Sequence, residues 1–386
     1  MTCVDQLKKK NCTGCSACSN SCPQNAIVMI EDVEGFLYPE IDSAKCVECG
    51  LCVRRCPQIE KAAVNGNFKK PIVYAAWNKD QKIREESTSG GVFTVLAETI
   101  LERGGYVAAV RYSDNHEIEH CVISKAEQIP LVRQSKYAQS RKKNIYRQVA
   151  QLLKTGREVL FCGTPCECAA LLKVLNGKPD GLWLVDFICR GANSPKAYRC
   201  FLQYLEEKYC SRVVRVWFKN KTYGWNLFST RVDFENGSYY IEDRYHDLFI
   251  DGYIHHNLYM RPSCADCVYK VFPHLSDITL ADFWGVKLTD SSLDTDRGTS
   301  MVMVNSVKGT ELFEIVKKDL FWEEKQFEDT LSGNPSILKS PVMSPKREYF
   351  FSHLGRVPFD KLMERCCRPN IKIRFKRFIK KILRMH

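Results

Sequence analysis

No run of about 18 apolar residues occurs anywhere in this 386-residue chain, so the sequence predicts no membrane-spanning helix. The first ten residues, Met1–Lys10, are polar and contain no apolar h-region, which predicts no secretory signal peptide. No G-x-G-x-x-G follows a strand-like segment, and no G-x-x-x-x-G-K precedes a Ser or Thr; these absences argue against a Rossmann NAD site and a P-loop. The eight histidines form no H-E-x-x-H or related pair, and His255–His256 read as structural or surface residues. Cysteine is plentiful, with twenty residues, yet at about 5% it falls short of the roughly 8–10% of disulfide scaffolds. Many cysteines without export imply reduced thiols and metal ligands in the cytoplasm. The formal charge of +12 is unevenly spread: residues 365–386 carry nine Lys and Arg and no acid, which leaves the rest at +3. The body therefore has no strong basic surplus. With the aromatics of Trp217–Trp225 read as strand and core, no specific nucleic-acid partner is expected.

Two cysteine runs stand out. Cys12, Cys15, Cys18 and Cys22 precede Pro23; Cys46, Cys49, Cys52 and Cys56 precede Pro57. Both follow the C-x₂-C-x₂-C-x₃-C-P spacing of ferredoxins with two [4Fe–4S] clusters. Three cysteines on a tight turn reach three corners of one cubane, and the fourth ligates the other cluster. The spacing thus predicts one site of Cys12, Cys15, Cys18 and Cys56 and another of Cys22, Cys46, Cys49 and Cys52. Zinc needs only four ligands, usually as two separated pairs, and a disulfide scaffold has no reason to repeat one spacing twice.

The expected fold is mixed α/β. Residues 1–60 read as a bacterial-ferredoxin-like dicluster module, 61–71 as a linker, and 72–155 and 156–330 as two parts of an α/β body with a mixed sheet. Residues 331–386 read as a C-terminal extension. Within it, 371–385 read as an amphipathic helix, with Ile371, Phe375, Phe378, Ile379 and Ile382 on one face and seven basic residues on the other. Such a helix suits peripheral contact with an anionic membrane at its inner face; packing on its own domain, docking to a partner and RNA binding are the other readings.

Two successive strand–loop–helix units carry Cys166, in Gly163-Thr164-Pro165-Cys166, and Cys189, in Asp186–Gly191. If their strands are parallel neighbours, both loops emerge at one carboxyl edge, where open α/β sheets bind ligands. Cys264 and Cys267 have C-x₂-C spacing, and with Cys166 and Cys189 they make a candidate third cluster site. Zinc or a redox pair fits C-x₂-C as well, and Cys162 and Cys168 compete with Cys166. Ser87–Phe93 opens a helix with two glycines; this suits a phosphate at a helix start, or an ordinary glycine N-cap.

Beyond these features, the chain resembles the coenzyme F420 (deazaflavin) hydrogenase and dehydrogenase beta-subunit family. The resemblance rests on Ser87–Phe93, Ser135–Ser140, Gly163–Cys166, Asp186–Gly191, Arg261–Cys264 with Cys267, Asp277–Gly285 and Arg297–Ser300, in family order over about residues 10–320. It implies FAD in the α/β body, a [4Fe–4S] cluster beside it, and Ser89, Gly90, Gly91, Lys136 and Asp282 as flavin-site residues. Two positions depart from the family pattern: Arg190 stands where histidine is usual, and Glu167 where glutamine is common. The resemblance implies a cytoplasmic oxidoreductase that passes electrons from a redox partner, such as reduced ferredoxin, through clusters to FAD and an organic acceptor, or in reverse. Two other classes fit the same residues: a non-catalytic electron-transfer subunit of a larger complex, and a membrane-docked assembly protein with structural clusters. Specific catalytic residues are not legible.

Overall fold

A computed structural model describes residues 3–4, 7–293 and 295–367. The expected helix at 371–385 lies outside the described residues. In the N-terminal module, β1 (Ile27–Glu31) pairs antiparallel with β2 (Leu37–Ile41). Asp32 closes their turn by accepting the Glu34 and Phe36 amides at 3.0 Å each. The sequence repeat becomes a backbone repeat. The second residue after each leading cysteine is left-handed (Gly14 φ 64°, Glu48 φ 51°), and so is the fourth (Ser16 φ 63°, Gly50 φ 68°). Each left-handed pair turns the chain in a tight arc and delivers it to a short helix, Ala17–Ser21 or Leu51–Arg54.

The body is built on an eight-stranded mixed sheet. Its strands are β3 (Asn67–Asn78), β4 (Tyr106–Tyr112), β5 (Ile118–Ile123), β6 (Val159–Gly163), β7 (Leu182–Phe187), β11 (Ile278–Asp282), β12 (Ser300–Ser306) and β13 (Leu320–Lys325). They lie in the order β13-β3-β12-β11-β7-β6-β4-β5. β6 and β7 read as near-continuous apolar runs because they are parallel central strands covered on both faces. Helices Val92–Glu102 and Val307–Val316 pack into one apolar core on the sheet, and helices Ile145–Lys154 and Pro165–Leu175 into another. A separate antiparallel sheet, β8 (Val213–Asn220), β9 (Ser229–Phe234) and β10 (Tyr239–Asp243), forms a third core with helix Pro195–Tyr209.

Two of the expected boundaries shift. β3 starts at Asn67, inside the segment read as linker, because Asn67 pairs with Ser306 and its amide donates to the His274 and Ser276 carbonyls. The segment read as an extension from 331 is part of the body as far as Cys367: Phe350, Leu354, Phe359, Leu362 and Met363 fill the third core. Among the described residues no helix is long and apolar enough to cross a membrane.

The module is bolted to the body. Arg147 donates to the Ser19, Asn20 and Cys22 carbonyls at 2.7–3.0 Å. Arg261 is fully buried and donates to the carbonyls of Cys12 (2.7 Å) and Leu37 (2.9 Å) and to Gln139 Oε1 (2.8 Å). One side chain thus ties the loop before Cys264 to the first cysteine run and to β2.

Candidate iron–sulfur and flavin site

The eight N-terminal cysteines separate into two groups. Cys18 lies within electrostatic reach of Cys12, Cys15 and Cys56, and Cys56 within reach of Cys12 and Cys15. Burial first, then these like charges, push the Cys18 thiol well above its usual value and Cys56 up to about 12. Cys22, Cys46, Cys49 and Cys52 line a different cavity together with Cys3. This second group is the outer one: Cys49 is exposed, whereas Cys15, Cys18 and Cys56 of the first are buried. Backbone amides point at the sulfurs, from Gly14 to Cys12 Sγ (3.4 Å) and from Ala26 to Cys22 Sγ (3.3 Å). Cys12, Cys15, Cys18 and Cys56 thus gather in one group, and Cys22, Cys46, Cys49 and Cys52 in the other.

A third group forms at the carboxyl edge of the sheet. β6 and β7 are adjacent and parallel, with Gly163 opposite Asp186, so their loops leave side by side. Thr164 caps the helix after β6, and its hydroxyl lies 3.1 Å from Cys166 Sγ. Cys264 lies in the turn Pro262–Asp266, and Cys267 directly follows it. All four, Cys166, Cys189, Cys264 and Cys267, line one cavity. Cys162 and Cys168 do not line it; Cys168 Sγ is fully buried against the Gly163 and Val185 carbonyls. Lys270 and Arg190 also line the cavity. Lys270 donates to the Cys189 and Ser336 carbonyls (2.8 and 2.6 Å), and Arg190 to Ile254 O and Asn257 Oδ1 (2.8 Å each).

The third group adjoins the first. Cys15 is within electrostatic reach of Cys166. Tyr269 stands between them: it lines the third cavity, its hydroxyl accepts from Gln58 (3.0 Å) and donates to Pro57 O (3.4 Å), and Cys166, Cys15 and Cys56 all act on it. Neither Tyr269 nor the buried Arg261 carries a spacing signal of its own. Nor does the pair His274–Asp186. His274 lines the cavity, its Nδ1 faces the Asp186 carboxylate at 3.3 Å, and its Nε2 is buried with no hydrogen-bond partner in the protein.

Glu167, the departure from the family's glutamine, has a clear partner. Its carboxylate lies 2.7 Å from Nζ of Lys142, which is 1% exposed, and it accepts from Ser140 (3.2 Å) and the Thr164 amide (2.8 Å). Burial pushes the Glu167 carboxyl up, but Lys142, His120 and the Thr164 amide outweigh it and hold it at about 2. Burial drives His120 down to about 4, against the pull of Glu167.

The flavin-site candidates lie on the same edge. Ser89 donates to Thr299 O (2.8 Å), and the Gly90 amide donates to Ser300 Oγ (2.9 Å). A Cβ at Gly90 would sit 2.4 Å from Ala76 O, so glycine is required there by the protein's own packing. Gly91 (φ 85°) is the N-cap of helix Val92–Glu102. Thr88 and Ser135 bond to each other, which brings the Lys136 loop against this turn. Lys136 donates to the carbonyls of Arg133 (2.6 Å), Gln134 (3.2 Å) and Leu131 (3.4 Å), and burial lowers it to about 7. Asp282 accepts from Lys219 (2.7 Å) and Trp225 (3.3 Å). Lys221 donates to Ser89 O and Arg297 O (2.8 Å each), and burial lowers it to about 7. Lys219 and Lys221 both lie within electrostatic reach of Asp282; Arg244 also acts on Lys219, and Glu85 and Arg84 on Lys221.

Cysteine groups on a ferredoxin-like module, joined to an α/β body, define an iron–sulfur protein of the oxidoreductase class. Residues 11–59 match a 4Fe-4S dicluster domain. Residues 73–145 and 156–330 match the N-terminal and C-terminal domains of the coenzyme F420 hydrogenase/dehydrogenase beta subunit, together more than half of the chain, and the chain belongs to that family. Over 55 residues it is 49% identical to a subunit of the ion-translocating oxidoreductase complex of Methanosarcina acetivorans, a match that covers 14% of this chain and 19% of that protein. The chain therefore spans about a fifth of the length of this curated relative. A chain in the structure of the xenon-derivatized F420-reducing [NiFe] hydrogenase complex from Methanosarcina barkeri is similar over 78% of this chain and 91% of its own, at 18% identity and a TM-score of 0.46.

Proposed function

We propose that this protein is an iron–sulfur flavoprotein oxidoreductase that takes electrons from a redox partner protein and passes them through three four-iron sites to FAD and an organic acceptor, or in reverse. The observation that carries the reading is the order of the cysteine groups. The outer group reaches the surface at Cys49, the buried group containing Cys15 follows, and Cys166 of the third group adjoins Cys15. Structural clusters would need no such succession.

Cys12, Cys15, Cys18 and Cys56 would hold one cluster, Cys22, Cys46, Cys49 and Cys52 the next, and Cys166, Cys189, Cys264 and Cys267 the third. Four thiolates on one cavity suit a cubane. The amides of Gly14, Ala26 and Ala192 donate to cysteine sulfurs and favour their charged form. Lys270 and Arg190 offset negative charge in the third cavity, while Ile188, Val268 and Ile337 line it with apolar surface. Ser89, Gly90, Gly91, Lys136 and Asp282 would border the flavin, where Lys219 and Lys221 suit a pyrophosphate. A bound flavin would supply two-electron storage and hydride exchange.

The test is cofactor content after anaerobic purification. About twelve irons per chain, from three four-iron sites, are expected, with FAD released on denaturation. FAD absent from protein with full iron would leave an electron-transfer subunit. Stoichiometric zinc without visible absorbance would refute the reading altogether.

A further inference from the structure

Five cysteines, not four, surround the outer cluster site. Cys3 lines the same cavity as Cys22, Cys46, Cys49 and Cys52, and its Sγ lies 3.6 Å from that of Cys46. Its position is anchored by the next residue: Val4 is 2% exposed, packs with Cys18, Ile27, Cys52 and Cys56, and hydrogen-bonds through its backbone to Cys52. A cubane offers one protein ligand position per iron, so a fifth thiol is in excess. The surplus falls at the outer site, where Cys49 is exposed and Cys46 half-buried. This is the cluster that solvent and oxidants reach first.

We propose that Cys3 is a standby ligand for the iron that Cys46 holds. The inference rests on the assignment of Cys22, Cys46, Cys49 and Cys52 to one cluster. The two sulfurs are in van der Waals contact, and a thiolate–metal bond is about 2.3 Å long. An iron bound to one sulfur is therefore within a small side-chain rotation of the other. The exchange breaks the Fe–Sγ bond of Cys46 and forms that of Cys3. The proton leaving Cys3 is taken up by the released Cys46 thiolate, so no electron changes hands. The outer cluster can then survive the loss or modification of Cys46 without rebuilding its core.

The test uses the full chain, reconstituted anaerobically as Cys46→Ala, Cys3→Ala and the double variant. Each single variant is expected to keep the full wild-type iron content and to show no three-iron signal. The double variant is expected to lose about four irons, or about one with the spectroscopic signature of a three-iron remnant. Iodoacetamide labelling followed by peptide mapping gives a second readout: Cys3 is expected to be labelled in the wild type and protected in Cys46→Ala. If Cys46→Ala loses as much iron as the double variant, or its Cys3 is labelled as in the wild type, the proposal is wrong. A double variant that keeps all its iron removes Cys46 from the ligand set, and the proposal falls with that assignment.

Discussion

Replacing Glu167 by Gln keeps the side chain's shape and removes the carboxylate in contact with the Lys142 ammonium. Lys142 is 1% exposed, and its other hydrogen bond, 2.9 Å to Ser140 O, is to a neutral carbonyl. Glu167 is held at about 2 against an ordinary 4.5, with burial opposing and Lys142 and His120 overcoming it. At 1.36 kcal/mol per unit this favours the charged carboxylate by roughly 3 kcal/mol. Removing one partner of a buried ion pair costs about 3–5 kcal/mol by a separate line of reasoning. Taking ~3 kcal/mol over 386 residues, the anaerobic melting temperature should fall by about 4 °C, since unfolding entropy is about 2 cal/mol/K per residue. Because the folded carboxyl lies below its unfolded value, its contribution is complete above pH 4.5 and lost as pH falls toward 2. The deficit of the variant is therefore full at neutral pH and shrinks in acid. Melting is followed by tryptophan fluorescence together with cluster absorbance. Adding Lys142→Met should recover most of the loss, because an apolar replacement removes the stranded charge. A Glu167→Gln protein as stable as wild type, or a double variant no better than the single, would refute the reasoning.

Arg261→Ala deletes three hydrogen bonds to buried acceptors and a cation over the Tyr38 ring at 4.2 Å. It is expected to cost about 3–5 kcal/mol and to speed limited proteolysis between the module and the body, read by mass spectrometry of the fragments. Lys270→Met removes a cation that acts on Cys189, Cys264 and Cys267 and so favours added negative charge in the third cavity. The midpoint potential of a cluster held there should therefore fall, in a redox titration monitored by electron paramagnetic resonance; an unchanged potential would refute the role of Lys270. Deleting Ile371–His386 removes seven basic residues and the apolar stripe. Cosedimentation with anionic vesicles should be lost while iron content is unchanged; equal binding by both proteins would rule out a membrane role for the tail.

The cysteine spacing was legible because cluster ligands are fixed by local geometry, and the left-handed residues at Gly14, Ser16, Glu48 and Gly50 repeat with it. Strands β6 and β7 were legible for the same local reason. What the sequence hid depends on distant partners. β13 carries no clean alternation, since it sits at the sheet edge against β3. The helices from Arg347 to Cys366 looked like an appendage because their apolar faces have meaning only against Phe201, Phe249 and Tyr259. Arg261, Lys142 and Tyr269 act across long stretches of sequence, which no spacing rule reports. Cys3 was invisible for a simpler reason: it belongs to no repeat.

The glycines of the Ser-Gly-Gly turn show how two demands can coincide at one position. Gly90 has no room for a side chain because Ala76 O and the Ser300 amide press on it, and Gly91 is left-handed at the helix start. Packing alone therefore explains both residues. Packing does not explain why Lys219 and Lys221 are buried beside that turn with Asp282 as the carboxylate bonded to Lys219, or why burial holds Lys221 near 7. Burying an ammonium costs several kcal/mol unless something repays it, and the carbonyls of Arg84, Ser89 and Arg297 repay part. The Glu85 and Asp282 carboxylates, both acting on Lys221, supply more, and an anionic ligand at this edge would add to them. The lysines, more than the glycines, are the reason to place a phosphate-bearing cofactor there.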